Sequence, residues 1–264
     1  MAKISDVINL MEKIAPESLK ESYDNVGFMV GDKSKTVTKV LVALDCTLKV
    51  IEEAKVVGAE LILTHHPLLF KKPKSITTDT LQGKKIINLI KSDIALYSSH
   101  TNWDSVNSGL NDTFVKLLGF KESKIIDRNP LDNEAGVGRI VYLTEELTIE
   151  EIINRIKDKF KLENFRFSGE KNKKIKTIAL VNGSGEDYLE SAYGLGAELL
   201  ITGDTTYHFI SDYEEMGLSV IDIGHFNSEW PLLIELSKSI EEALEPLGVD
   251  IIVSREVKDP YNFA

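Results

Sequence analysis

The chain has 264 residues, and 31 basic against 42 acidic side chains leave a formal charge of −11. With 42% hydrophobic and 28% charged residues, it has the balance of a globular protein long enough for one large domain or two lobes. No apolar run reaches the roughly 18 residues of a membrane helix, Cys46 alone leaves no internal disulfide or cysteine-rich zinc site, and the negative charge disfavours nucleic acid and anionic membranes as partners. The opening residues Met1 to Asp6 lead into an amphipathic stretch and do not read as a signal peptide, so a cytoplasmic location is expected. Small anionic substrates stay compatible with the charge, because a bound metal ion reverses the local field.

In chain order, Asp24-Asn25-Val26-Gly27 reads as a turn. An apolar strand follows and ends just before Asp45. Ile51, Ala54 and Val57 then mark a helix by their spacing, and Gly58 falls where a helix C′ residue would be. Leu61 to Thr64 is a second strand and Asp93 to Ser98 a third, followed by a polar loop and a helix ending near Gly119. The polar stretch Lys121 to Glu134, with Pro130 inside it, is the nearest thing to a boundary. Gly136-Val137-Gly138-Arg139 leads into a further strand at Ile140 to Leu143, and Lys171 to Lys176 reads as a solvated loop.

The next segment repeats the first. Shifted by 138 residues, Val40–Phe70 falls on Ile178–His208 without a gap. Glu52, Ala54, Gly58, Ala59, Glu60, Leu61 and Thr64 match Glu190, Ala192, Gly196, Ala197, Glu198, Leu199 and Thr202. Ser219 to Gly224 stands for the third strand, and the helix after it ends near Gly248. Alternating strands and helices imply parallel βαβ units. The expectation is therefore a duplicated α/β protein with mainly parallel strands, its lobes at residues 1–128 and 129–264, and a site in the cleft between them.

The histidines sharpen that expectation. All five, His65, His66, His100, His208 and His225, lie just beyond strands, as do Asp104, Asp204 and Glu229. Ligands gather at the carboxyl ends of strands in open α/β sheets. Imidazole and carboxylate without thiolate suit zinc, manganese, iron, cobalt or nickel. Five ligands suit two metals if Glu229 bridges them, with a shared water activated between. Pro231 fits the first turn of a helix, which leaves His225 in a loop and Glu229 near the helix N-terminus. Asp45 reads equally as a carboxylate holding a ligand histidine or as an ordinary turn residue. Cys46 reads as a small buried side chain, and Gly183-Ser184-Gly185 as a structural rather than a phosphate-binding loop.

Taken in order, Leu63-Thr64-His65-His66-Pro67, His100-Thr101-Asn102-Trp103-Asp104, Thr202-Gly203-Asp204 with His208, and Gly224-His225 with Glu229 resemble the motifs of the NIF-three-like family. Its bacterial members include the GTP cyclohydrolase I type 2 homologues. Tyr23-Asp24-Asn25-Val26-Gly27 and Gly136-Val137-Gly138-Arg139 are similar to its N-terminal and central motifs. Tyr23 stands where Trp is usual, and Tyr207 precedes His208 where a second His is common. The resemblance implies a dinuclear site with His65, His66, Asp104, His225 and Glu229 as ligands to two divalent ions (zinc, iron or manganese). His100, Asp204 and His208 would transfer protons or touch substrate. It also implies a homohexamer and a hydrolase acting on a nucleotide-like or other small polar substrate. The same ligands would equally serve a non-catalytic metal-binding regulator or scaffold.

Overall fold

The computed structural model describes residues 1–263. The chain begins with α1 (Ile4–Ile14), β1 (Gly27–Val30), β2 (Lys39–Ala43), α2 (Leu48–Val57), β3 (Leu61–Thr64), α3 (Leu81–Lys91), β4 (Ala95–Ser98) and α4 (Thr101–Ser105). It continues with α5 (Leu110–Leu117), β5 (Lys124–Asn129), β6 (Asp132–Thr148), α6 (Ile149–Phe160), β7 (Arg166–Phe167), β8 (Lys174–Ser184) and α7 (Leu189–Gly194). The last elements are β9 (Leu199–Gly203), α8 (Tyr207–Glu215), β10 (Ser219–Asp222), α9 (His225–Leu244) and β11 (Asp250–Val253). Among the described residues no helix is long and apolar enough to cross a membrane.

Two compact units result. The first comprises Met1–Trp103 with Leu233–Lys258, and the second Asp104–Leu232 with the residues from Asp259 onward. These bounds differ from 1–128 and 129–264, because β11 joins the first sheet beside β2. Lys121 to Glu134 is no linker either. It holds β5 and the start of β6, an antiparallel hairpin closed at Asn129↔Asp132. The Asn129 side chain there accepts from the Leu131 N–H at 2.9 Å, a local turn bond that asparagine supplies.

In the first unit the sheet order is β1-β4-β3-β2-β11, parallel except at the β1 edge. β3 and β4 are buried along their whole length, which is why they read as unbroken apolar runs. Thr47 caps α2 by accepting from Val50 N–H, and Gly58 ends it at φ 71°, a left-handed value that favours glycine. In the second unit the order is β5-β6-β8-β9-β10-β7, with β8, β9 and β10 parallel.

The repeat holds at the level of individual contacts. Val40 pairs with Leu61 in one unit, and Ile178 with Leu199 in the other. Leu41, Ala43, Ile51, Ala54, Ala59 and Ile62 share one apolar cluster. Their counterparts Ala179, Val181, Leu189, Ala192, Ala197 and Leu200 share another. Ala59 N–H bonds Ala54 C=O as Ala197 N–H bonds Ala192 C=O. The Glu60 carboxylate accepts from the backbone N–H groups of Thr38 and Lys39, and the Glu198 carboxylate from those of Lys176 and Thr177. Each glutamate thus ties the start of its third element to the start of its first.

Candidate metal centre

Three histidines meet in the first unit. After β3 the chain keeps strand-like bonds, His65 N–H to Ala43 C=O and His66 N–H to Leu44 C=O. A regular strand would send the two rings to opposite sides. Here their centroids lie 5.3 Å apart, and each lies close to His100, at 5.0 and 5.6 Å. One ring nitrogen of each of the three falls within 4.8 Å of the others, a grouping able to hold a metal ion.

Each ring is fixed from behind through Nδ1. His65 Nδ1 is 3.0 Å from the Ser99 carbonyl oxygen, His66 Nδ1 3.0 Å from Asp45 Oδ1, and His100 Nδ1 3.0 Å from Asp24 Oδ2. Of its two sequence readings, Asp45 takes the one in which it holds a histidine. Asp24 also accepts from the Thr101 N–H and hydroxyl, at 3.1 and 2.6 Å. Burial opposes its charge, but the hydrogen bonds and charge of His100 and the Thr101 bonds outweigh that and hold the carboxyl down to about 2.

The second unit repeats the arrangement with carboxylates. His225 Nδ1 lies 2.7 Å from Asp204 Oδ2, and its Nε2 lies 3.0 Å from Glu229 Oε2. His225 and Glu229 stand one turn apart on α9, which contains Pro231 in its interior. The loop expected at His225 is therefore helix. Ser228 N–H reaches Gly224 C=O and its hydroxyl reaches His225 C=O, bonds that close the first turn of α9 ahead of the proline. Glu229 is 2% exposed. Gly183 makes room for it: at φ 62°, a Cβ there would lie 2.2 Å from Glu229 Oε1. That gives the Gly-Ser-Gly loop a structural role.

Asp104 is buried, and its Oδ1 accepts from Asn182 Nδ2 at 2.8 Å. Asn111 supports both, donating to the Asp104 carbonyl and accepting from Asn182 N–H. Asp222 fastens the loop carrying Asp204 and the residue before α9, accepting from Thr205 and from Gly224 N–H and pairing with Arg166. Asn111, Asn182 and Asp222 were not singled out in the sequence. The signal available for the last two was a polar residue inside an apolar strand. His208 sits exposed on α8, its ring 5.4 Å from that of Tyr207. Cys46 is buried in the first core, and burial pushes its thiol up to about 12, an environment that disfavours a thiolate.

An α/β protein with histidines and carboxylates clustered at its strand ends defines a candidate metal-binding class. Residues 2–260 match the family Duf34/NIF3 (NGG1p interacting factor 3), and the chain belongs to that family. It is 62% identical over 261 residues to a protein of Clostridium perfringens named GTP cyclohydrolase 1 type 2 homolog, covering 99% of each chain. Among solved structures, it resembles a Bacillus cereus protein related to NIF3, with a TM-score of 0.91 at 25% identity, over 100% of this chain and 99% of that one. A hypothetical protein of Staphylococcus aureus gives 0.89 at 31% identity, over 99% of each chain.

Proposed function

We propose that this chain is a metal-dependent hydrolase in which His65, His66, Asp104, His225 and Glu229 hold two divalent ions, with Glu229 shared between them. The observation that carries the reading is the common fixing of four imidazoles. His65, His66, His100 and His225 each engage an acceptor through Nδ1. Such partners set the tautomer and orientation of a metal-binding histidine. Zinc, iron and manganese suit this mixture of imidazole and carboxylate.

Bound divalent ions would supply an acidified water and positive charge to stabilise an oxyanion. Asp45 and Asp204 hold the rings of His66 and His225. His208, exposed on its helix, carries protons between the site and solvent. The substrate is nucleotide-like or another small polar molecule, and the name borne by the Clostridium perfringens relative makes GTP the first compound to try. The family resemblance adds a cytoplasmic homohexamer, checked by light scattering on the purified protein.

The test is metal content per chain in protein purified without chelator or nickel resin, alongside Glu229→Ala. About two ions per chain, falling sharply in the variant, support the reading. Absence of stoichiometric metal after supplementation with zinc, manganese or iron overturns it. Metal-loaded protein that releases no formate from GTP removes that substrate and leaves other hydrolyses to be screened.

A further inference from the structure

We infer that the cavity between α8 and the β7–β10 edge binds a nucleoside monophosphate, its base reaching toward Glu214 and its anionic end held by Arg166. Binding there stands by itself, and only its service to the proposed hydrolysis rests on that reading.

The two units carry a cavity at the same point of their topology. In each sheet a short antiparallel strand forms an edge, β1 beside β4 and β7 beside β10. A crossover helix leads into the inner strand of each pair, α3 in the first unit and α8 in the second. The first cavity, about 490 Å³, is walled by apolar side chains such as Met29, Ile86 and Leu89. Two of its three charged groups, Lys35 and Asp93, pair with each other. The second, about 260 Å³, is lined by Arg166, Phe167, Thr205, Tyr207, Ser211 and Glu214. That volume is close to the lower bound of ligand pockets, roughly 300 Å³. α3 buries Gly83, Ile86 and Leu89, whereas α8 buries no residue. Packing a helix onto a sheet asks for none of the polar groups that α8 and β7 bring to this space.

The lining has a direction. Asp222 lies opposite Arg166 in the β7–β10 pairing, and its oxygens are taken by Gly224 N–H, Thr205 and Arg166. Arg166 spends Nη2 on Asp222 and on the Thr205 carbonyl, which leaves Nε and Nη1 for an anion. A guanidinium fork matches the geometry of a phosphate. Thr205 follows Asp204, the partner of His225, so this end adjoins the candidate metal centre. Glu214 stands two turns of α8 beyond Tyr207, about 10 Å away. Its Oε1 accepts from Gly169 N–H at 3.0 Å, and its Oε2 has no protein partner. A carboxylate oxygen to spare selects a ring edge with amino donors, such as adenine, guanine and cytosine carry.

Aromatic faces complete the wall. Phe167 is 40% and Tyr207 79% exposed, over half-buried Ile210 and buried Val220. Large rings left to water on a cavity wall are stacking surfaces for a base. Arg166 is the one cation in the lining, which suits one phosphate. Guanidinium, aromatic wall and distal carboxylate together match the phosphate, ring and amino edge of a single nucleotide.

The test is isothermal titration calorimetry of the full-length chain, stripped of metal, with AMP, GMP, UMP and ribose phosphate. Circular dichroism verifies the fold of each variant. AMP and GMP should bind, and UMP, whose base has no amino group, about tenfold more weakly, the worth of a hydrogen bond to a charged acceptor. Glu214→Gln keeps an acceptor for Gly169 N–H but sets an amide donor against the base, so AMP and GMP should fall to the level of UMP. Tyr207→Ala should weaken every nucleotide by about tenfold or more and leave ribose phosphate unchanged. Ile90→Ser, in the equivalent cavity of the first unit, should change nothing. Metal-free protein that binds neither AMP nor GMP at millimolar concentration overturns this inference alone. So does UMP bound as tightly as AMP and GMP, binding that neither Glu214→Gln nor Tyr207→Ala alters, or an equal loss in Ile90→Ser. Wild type that binds nucleotide as expected yet takes up no metal overturns the proposed function and leaves this inference standing.

Discussion

The two units share a frame and differ at its edge. β2–α2–β3 and β8–α7–β9 pair in the same register, bury matched apolar positions, and close with equivalent glutamate contacts. Beyond β3 and β4 the first unit presents three imidazoles, while beyond β9 and β10 the second presents Asp204 and His225 with Glu229. A duplicated scaffold thus keeps its backbone chemistry and separates its donor chemistry into nitrogen-rich and oxygen-rich halves. Frame residues are constrained by hydrogen bonds that any copy must make. Strand-end residues are free of that constraint and can take on chemistry.

The comparison breaks most visibly at Arg139, which has no partner in the first unit's frame. It is 3% exposed, grips Asp112 with two nitrogens at 2.6 and 3.0 Å, and donates to the carbonyls of Gly136 and Gly138. Arg139→Ala leaves a carboxylate and carbonyls without their cation. It should cost about 3–5 kcal/mol in chemical denaturation. A loss below 1 kcal/mol would mean the network is not a structural element of the second unit.

A sharper test of equivalence sets Glu60→Gln beside Glu198→Gln. Each variant keeps an oxygen acceptor but loses the charge-assisted part of two backbone bonds, about 1 kcal/mol for partly exposed groups. Equal losses support a conserved frame, and a difference of severalfold breaks it. Glu60 adds a pH signature. Burial raises its pKa, but the bonds from Thr38 and Lys39 lower it further, to below the ordinary 4.5. Its contribution is therefore complete above pH 4.5 and lost as pH falls through the lower folded value. The stability gap between wild type and Glu60→Gln should close on acidification.

The smallest effects belong to Gly58 and Gly196, at φ 71° and 81° with open space where a Cβ would stand. Alanine at either costs only the left-handed backbone, about 1 kcal/mol, visible as matching small shifts in melting temperature. Unequal shifts would place one of the two turns under a constraint that the other lacks.

Much of this was legible because duplication states it twice. Glu60 and Glu198, Gly58 and Gly196, and the apolar positions of both helices announce themselves by recurring at one interval. The strand-end histidines were legible because imidazoles after apolar runs stand out. The antiparallel members were less so: β1 and β7 are four and two residues long, too short for a period to emerge. The β5–β6 hairpin hides in charged residues, since one of its strands is largely exposed. The start of α9 was misread because Pro231 argues locally for a helix beginning beside it, while Ser228 and buried Glu229 extend the helix backward. Asn182 and Asp222 were missed because their significance lies in what folds against them.

The placement of β11 has a consequence for how the molecule is made. β2 is an interior strand only when β11 lies alongside it, with Ile251 opposite Val40 and Val253 opposite Val42. Those partners follow the whole of Asp104–Leu232 in the chain. Throughout synthesis of the second unit, the nascent first sheet carries an unpaired apolar edge, the kind that recruits strands from other chains. The sheet's final strand is also its protection, because pairing with β11 removes that edge.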